Sequence, residues 1–286
     1  MKRSKITKTF IRLKKKDKKA LIPYIMAGDP DIKTTEELIL EIERSGGDII
    51  ELGVPFTDPL ADGPVIQKAH YRALKNKVTL KNILDLVKRI REKTTIPLVL
   101  MTYYNPIFKH GDEDFIKDAV TSGVDGVIIP DLPFEEARDF IKTSKMNGLD
   151  TIFLLAPTST PERISMITNA SRGFIYYVSI TGITGAKIEG IDQIKNSLEK
   201  IREVTDKPIA VGFGISTAVE AKKISEWADG IIIGSAIVRV IEENLGSPSI
   251  VDKVGEFVKT LSEGIKEVQS SEFEKNHNSK LLTPNS

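Results

Sequence analysis

Short apolar runs rich in β-branched residues alternate with longer amphipathic stretches along nearly the whole chain. A parallel sheet whose buried strands are connected by helices produces this alternation. We therefore predict eight strands, each followed by a helix. The predicted strands lie at residues 20–28, 49–54, 97–103, 126–131, 150–157, 174–180, 208–214 and 230–235.

Helix start signals stand between these runs. Capping residues or a first-turn proline, as in Ser159-Thr160-Pro161, predict helices that begin near residues 34, 79, 112, 133, 161, 190, 216 and 235. Two further amphipathic helices are predicted, one at the N terminus and one over residues 249–268. In the first of these, Ile6, Phe10 and Leu13 share a face.

Eight strand–helix units favour an α/β fold of the closed (β/α)8 TIM-barrel type with an extra N-terminal helix. An open doubly wound sheet usually has fewer strands and a GxGxxG turn after the first, where this chain has Gly28-Asp29-Pro30. The 286 residues alone allow one domain or two. Because the units occupy residues 1–268, we predict a single barrel domain, followed by a polar, disordered tail at 269–286.

Cysteine is absent and histidine is scarce, which narrows the possible chemistry. Without cysteine there is no thiolate nucleophile and no cysteine-ligated metal. The three histidines, His70, His110 and His277, lack the spacing of a metal site, so no metal is predicted. A Ser-His-Asp hydrolase is also disfavoured, and we assign acid–base chemistry to Asp, Glu, Lys or Tyr.

The positive charge is concentrated at the N terminus. Residues 1–20 hold ten Lys or Arg and one Asp, whereas the whole chain has a net charge of +1. Such a segment could be a nucleic-acid-binding arm or a transit peptide, but it continues into the first strand without a cleavage site or flexible linker. We favour a helix with solvated lysines. No apolar run approaches the roughly 20 residues that span a bilayer. We therefore expect a soluble, cytoplasmic protein that binds neither nucleic acid nor membrane.

Candidate catalytic residues lie where the strands end, because barrel active sites form at that face. Glu51 interrupts the apolar run IIELGV, and no predicted strand offers an inward basic partner. Burial would raise the pKa of this carboxyl, as a general acid requires. The next loop, TDPLADGP, adds Asp58, most simply a turn or cap residue, and Asp62, for which a turn and a site role are equally plausible.

Glycine-rich turns follow the sixth, seventh and eighth predicted strands, at 181–185, 212–216 and 234–238. Each opens a helix, and barrels of this type bind phosphate at that corner. The turns therefore favour a phosphate-bearing substrate. The long segment 180–191 is either a disordered connector or a lid, and the nearby Thr184-Gly185 favours the lid.

Several segments together carry a resemblance to one family. They are LIPYIMAGDPD, IELGVPFTDPLADGPVIQ, MTYYNPI, IPDLPFEE, YYVSITGITGA, VGFGIS and IIGSAIV. Over residues 6 to about 268 the chain resembles the α subunit of tryptophan synthase. The segment ELGVPFTDPLADGP is highly specific, whereas GFGIS and GSAIV occur in other phosphate-binding barrels. The resemblance implies a lyase of tryptophan biosynthesis that cleaves indole-3-glycerol phosphate into indole and glyceraldehyde 3-phosphate.

The resemblance also implies roles for individual residues. Glu51 would be the general acid and base, ionised Asp62 would hold the indole N–H, and Tyr176 would orient the acid. Tyr24, Tyr103 and Ile66 would surround the indole ring, although simple packing is about equally expected for Ile66. The lid and phosphate contacts would come from Thr184, Gly185, Phe213, Gly214, Gly234 and Ser235.

In that family the subunit joins a β subunit in an α2β2 heterotetramer, to which indole passes. Pyridoxal phosphate belongs to the β subunit, so no cofactor is expected in this chain. Two alternatives remain open. The first is a stand-alone lyase that releases free indole, although the ADGP and NPI loops resemble partner-facing loops. The second is a non-catalytic binding or regulatory barrel, which the presence of both Glu51 and Asp62 disfavours.

Overall fold

In the described part of the chain, nine parallel strands form one sheet that curls into a nearly closed barrel. The structure, a computed structural model, describes residues 3–179, 190–212 and 214–280, with only the backbone of 266–280. The strands are β1 (Ala20–Met26), β2 (Ile50–Gly53), β3 (Leu98–Met101), β4 (Gly126–Ile128), β5 (Asp150–Ile152), β6 (Leu154–Leu155), β7 (Ile175–Val178), β8 (Ile209–Gly212) and β9 (Gly230–Ile233).

The predicted fifth strand forms two short strands. Phe153 separates β5, which pairs with β4, from β6, which pairs with β7. The sheet order is β5-β4-β3-β2-β1-β9-β8-β7-β6, so its two ends are consecutive pieces of one chain segment. The barrel therefore closes through that segment, and the predicted TIM-barrel fold is confirmed.

Twelve helices accompany the strands in the described part of the chain. They are α1 (Lys5–Lys14), α2 (Ile32–Arg44), α3 (Pro64–Lys75), α4 (Leu80–Ile90), α5 (Tyr104–His110), α6 (Asp112–Ser122), α7 (Arg138–Asn147), α8 (Pro161–Ala170), α9 (Ile191–Arg202), α10 (Ala218–Ser225), α11 (Ser235–Glu243) and α12 (Ile250–Lys280). Helices α3 and α5 are additional to the predicted set.

The last helix is longer than predicted. The sequence pattern ends it at residue 268 and predicts a disordered tail from 269, whereas α12 continues to Lys280. Once a helix has formed, each further residue adds one backbone hydrogen bond, so the helix can continue beyond its apolar face. The apolar periodicity of the sequence does not indicate such an extension. The division between the barrel domain and a separate tail stays a prediction.

The N-terminal helix closes the lower end of the barrel. Ser4 caps α1, and the helix buries Ile6, Phe10 and Leu13 as predicted. Phe10 lies against Phe174, with ring centroids 5.7 Å apart, among the side chains inside the barrel. The neighbouring lysines remain at the surface, as expected for solvated lysines. Because α1 fills the lower end, the interior is left for chemistry at the opposite, carboxyl end of the strands.

Candidate active site

Strand alternation places Glu51 inside the barrel. Ile50 and Leu52 belong to the core between strands and helices, so the residue between them points inward. Glu51 lies beside Tyr24 of β1 and Val99 of β3. Its side chain is 1% exposed, and neither carboxyl oxygen has a hydrogen-bond partner among the described residues. An unpaired buried carboxyl is costly unless it is neutral.

Burial, with a smaller contribution from the charge of Asp62, raises the pKa of Glu51 from 4.5 to about 8. At neutral pH the carboxyl is therefore mostly protonated and able to donate a proton. The raised pKa agrees with the burial of Glu51 that the apolar run IIELGV predicts. The influence of Asp62 also indicates that the two carboxyls lie within electrostatic reach of each other.

Two tyrosines share the interior with Glu51, and two glycines make room for them. A Cβ on Gly53 would lie 2.2 Å from the Tyr24 hydroxyl, and one on Gly212 would lie 2.5 Å from the Tyr176 hydroxyl. Each ring therefore leans over the neighbouring strand toward its carboxyl end. Burial is the main cause that raises the pKa of both phenols, and Glu51 raises them further. Both hydroxyls thus stay protonated at neutral pH.

Asp62 lies in the loop between β2 and α3, and its side chain is 7% exposed. The Tyr103 hydroxyl donates to its Oδ2 at 2.9 Å, and Nε2 of His70 lies 3.0 Å from the same oxygen. Its backbone N–H also closes a turn onto Pro59. The structure thus brings Asp62 to the candidate site while keeping it in a turn, so the two interpretations of this residue are compatible.

His70 is an additional candidate site residue, which the sequence shows only as an isolated histidine without metal-ligand spacing. The residue lies on the buried face of α3 with Ile66, Ala69 and Ala73. A proline at the first position of a helix is a recognised start signal, and Pro64 provides it. With α3 predicted from Pro64, His70 would fall one turn after Ile66 on the same face as that candidate.

Ile66 and Tyr103 line the same region. Ile66 is buried and packs in a small cluster with Tyr24. Tyr103 stacks on Phe56 with ring centroids 5.0 Å apart. The structure gives Tyr103 a contact that the sequence does not predict, the hydrogen bond to Asp62. Contact of either residue with an indole ring stays a prediction.

The predicted phosphate corner is described in part. Gly214 and the pair Gly234-Ser235 follow the neighbouring strands β8 and β9. Gly214 has a φ of +79°, which favours glycine. Thr184 and Gly185 in the proposed lid lie outside the described residues, which omit 180–189, and so does Phe213.

The two helices at this corner differ in their N-termini. In α10, Thr217 and Glu220 form a capping box, and the carboxylate of Glu220 also accepts from the Ser216 N–H at 2.9 Å. In α11, Gly234 offers no side-chain cap and Ser235 is exposed. Of the two helices, α11 therefore presents N–H groups that could donate hydrogen bonds to an anion, together with the positive end of its dipole.

Neither a metal-binding cluster nor a membrane-spanning helix occurs in the described part of the chain. No three His, Asp or Glu side chains there come close enough to hold a metal ion. No helix there has the length and apolar character needed to cross a membrane.

Comparison with known proteins shows the family to which the chain belongs. The family model of the tryptophan synthase alpha chain matches residues 10–266. The tryptophan synthase alpha chain of Geotalea uraniireducens is 52% identical over 265 residues, which cover 93% of this chain and 99% of that relative. That of Geobacter sulfurreducens is 48% identical over 262 residues, with 92% and 99% covered.

Solved structures agree as well. Tryptophan synthase subunit alpha from Legionella pneumophila superposes with a TM-score of 0.87 at 36% identity, covering 93% of this chain and all of that one. A chain of Mycobacterium tuberculosis tryptophan synthase gives a TM-score of 0.84 at 34% identity, with 92% and 99% covered. On the barrel fold and these matches, the chain belongs to the tryptophan synthase alpha chain family.

Proposed function

We propose that Glu51 and Asp62 perform the carbon–carbon cleavage of this enzyme. As a member of this family, the chain is a lyase that acts on indole-3-glycerol phosphate and forms indole and glyceraldehyde 3-phosphate. The observation that carries the proposal is the buried Glu51 carboxyl, unpaired and with a pKa raised to about 8, within electrostatic reach of Asp62. Two carboxyls in unlike environments can divide the acid and base roles.

The cleavage needs one proton at the indole ring and the removal of another from the glycerol hydroxyl. Protonated Glu51 donates to the ring carbon that bears the glycerol chain, which places positive charge on the ring nitrogen. The Asp62 carboxylate accepts the ring N–H and stabilises that charge. The carbon–carbon bond then breaks, and its electron pair restores the aromatic ring. Glu51 takes up the hydroxyl proton as the aldehyde forms and regains its starting state.

Other residues bind and orient the substrate in this proposal. The free N-terminus of α11, at Gly234 and Ser235, receives the phosphate with Gly214, while Phe213, Thr184 and Gly185 are assigned to the same end by the family resemblance. Tyr24, Ile66 and Tyr103 border the indole ring. Tyr176 lies buried within electrostatic reach of Glu51, consistent with orienting its carboxyl. We propose that these groups suffice without a metal or cofactor in this chain.

The direct test is an assay of the purified chain with indole-3-glycerol phosphate. Indole and glyceraldehyde 3-phosphate should appear in equal amounts, and the rate should be unaffected by a chelator or by dialysis. Absence of indole, both alone and with a tryptophan synthase β subunit, would favour the non-catalytic barrel instead. Sensitivity to the chelator would contradict the metal-free mechanism.

We further propose that the chain pairs with a β subunit, as its family normally does, in an α2β2 assembly. Leu60 is 92% exposed and Phe108 is 68% exposed. Leu60 follows β2 and Phe108 follows β3, so both lie on connections at the carboxyl end of the barrel. Large apolar side chains exposed together at one end are typical of a partner surface. Indole would pass there to the pyridoxal phosphate of the β subunit.

We also propose the cytoplasm as the location, because this is a biosynthetic enzyme family.

This partner surface can be tested by substitution. Phe108→Ser and Leu60→Ser should each weaken β-subunit binding by about tenfold or more, since burying a large apolar side chain contributes about 1.5–3 kcal/mol. Met146→Ser is the matched control, because Met146 is 78% exposed but lies on α7. Titration calorimetry gives the affinities, and light scattering gives the mass of the assembly. If the unmodified chain shows full activity and no association, the stand-alone lyase is the better interpretation.

A further inference from the structure

The side chain of His70 connects Asp62 to the backbone of its own loop. The imidazole is 4% exposed, and it contacts Asp62 on one edge and the Phe56 N–H on the other. We propose that His70 is a positioning residue, which holds the Asp62 carboxylate in the orientation that accepts the indole N–H. This inference rests on the proposed function and adds a group that acts through Asp62 rather than on the substrate.

The two contacts of the imidazole fix which ring nitrogen carries the hydrogen. The Phe56 N–H donates to Nδ1 at 2.9 Å, so Nδ1 is an acceptor and carries no hydrogen. The neutral ring must then hold its hydrogen on Nε2, which donates to Asp62 Oδ2 at 3.0 Å. In a doubly protonated ring, the hydrogen on Nδ1 would point at the hydrogen of the Phe56 N–H. These contacts therefore favour the tautomer with hydrogen on Nε2.

Two described side chains hold Asp62 through the same oxygen, Oδ2. The Tyr103 hydroxyl donates to Oδ2 as well, and Ala61 N–H donates to that hydroxyl at 2.9 Å. Both His70 and Tyr103 thus bind the loop backbone and the same carboxylate oxygen. Among the described residues, Oδ1 of Asp62 accepts no hydrogen bond. A carboxylate fixed through Oδ2 in this way can present its other oxygen, Oδ1, to a substrate N–H.

Removing the imidazole should loosen this orientation while leaving the charge of Asp62 in place. We expect His70→Leu to lower kcat by about 10- to 100-fold with KM nearly unchanged, because small misplacements of a catalytic group cost rates of that order. H70Q carries an amide N–H at a similar reach and should recover about tenfold. H110L is the matched control, since His110 also pairs with an aspartate, Asp118, at 2.8 Å but is away from Asp62. It should retain the activity of the unmodified chain.

A double-mutant cycle separates positioning from general packing. If His70 acts through Asp62, adding H70L to D62N should change kcat by less than about twofold. Losses that multiply in the double variant would overturn the proposal. So would an H70L variant with normal kcat, or an H70Q variant no better than H70L.

Nitrogen-15 NMR of the imidazoles gives a readout that does not depend on cleavage. With only three histidines in the chain, the H70Q spectrum assigns His70 directly. We expect the Nε2–H form, and D62N should move the Nε2 signal of His70 but not the signals of His110. An Nδ1–H form would overturn the proposal even in an active enzyme. If the spectrum is as expected but the chain is inactive, the proposed lyase reaction fails while the hydrogen bonds of His70 stand. If H70L does not fold, H70Q and the spectrum still decide.

Discussion

Replacing Glu51 with glutamine is expected to lower kcat by about 10²- to 10⁴-fold, the usual contribution of a positioned general acid and base. Glutamine has nearly the shape of the protonated carboxyl, but it can neither donate the proton to the indole ring nor take one from the hydroxyl. Substrate contacts elsewhere are unaltered, so KM should stay within a few-fold. Steady-state release of indole measures both constants. Turnover at the rate of the unmodified chain would refute the assignment.

The pH dependence of the unmodified enzyme provides a second measure of the same residue. Because the reaction begins with protonated Glu51, kcat/KM should fall as the pH rises through about 8, the pKa of this carboxyl. A profile that stays flat to pH 9.5 would contradict a role for Glu51 as the acid.

Stability should report the raised pKa of Glu51 independently of catalysis. Below pH 4.5 the carboxyl is protonated in both the folded and the unfolded chain and contributes no pH dependence. Between pH 4.5 and about 8 only the unfolded chain releases the proton, so the free energy of unfolding decreases, by up to about 5 kcal/mol above pH 8. E51Q should lack this decrease. Equal pH dependence of both proteins in urea unfolding would show that Glu51 is not buried and neutral.

The parts of the fold that depend on local periodicity could be predicted from the sequence. Alternation in IIELGV places Glu51 inward, and the same rule places Tyr24 and Tyr176, because strand periodicity needs no knowledge of distant residues. The buried face of α1 follows equally from helical spacing. The separation of β5 from β6 at Phe153 could not be predicted in this way, since it depends on how the barrel closes.

The loop part of the site depends on tertiary contacts that no local pattern specifies. Sequence position left Asp62 undecided between turn and site. In the structure, Tyr103 and His70 contact Asp62 from the connection after β3 and from α3. Tyr103 is 41 residues away in sequence, so the contact exists only once β2 and β3 pair. The family resemblance assigns Asp62 to the site. It does not indicate which groups hold the carboxylate.

Replacing Asp62 with asparagine is expected to lower kcat by about 10²- to 10³-fold, comparable to the loss of one preorganised group that stabilises transition-state charge. The amide oxygen can still accept the indole N–H, but the negative charge opposite the developing positive ring is gone. Asp58→Asn is the matched control, because Asp58 is an exposed acid of the same loop. Measured on the chain without a β subunit, D58N should cleave at the normal rate. A D62N variant as active as D58N would exclude Asp62 from the chemistry.

The same substitution tests whether the two carboxyls act as a pair. Asp62 raises the pKa of Glu51 in addition to burial, so removing its charge should lower that pKa below about 8. Burial remains the larger cause, so the pKa should stay above 4.5. A carbon-13 titration of Glu51 in D62N, referenced to the unmodified chain, measures the shift, and D58N should leave it in place. If the Glu51 titration is unchanged in D62N, the two groups do not share one site, and a mechanism that divides acid and charge-stabilising roles between them fails.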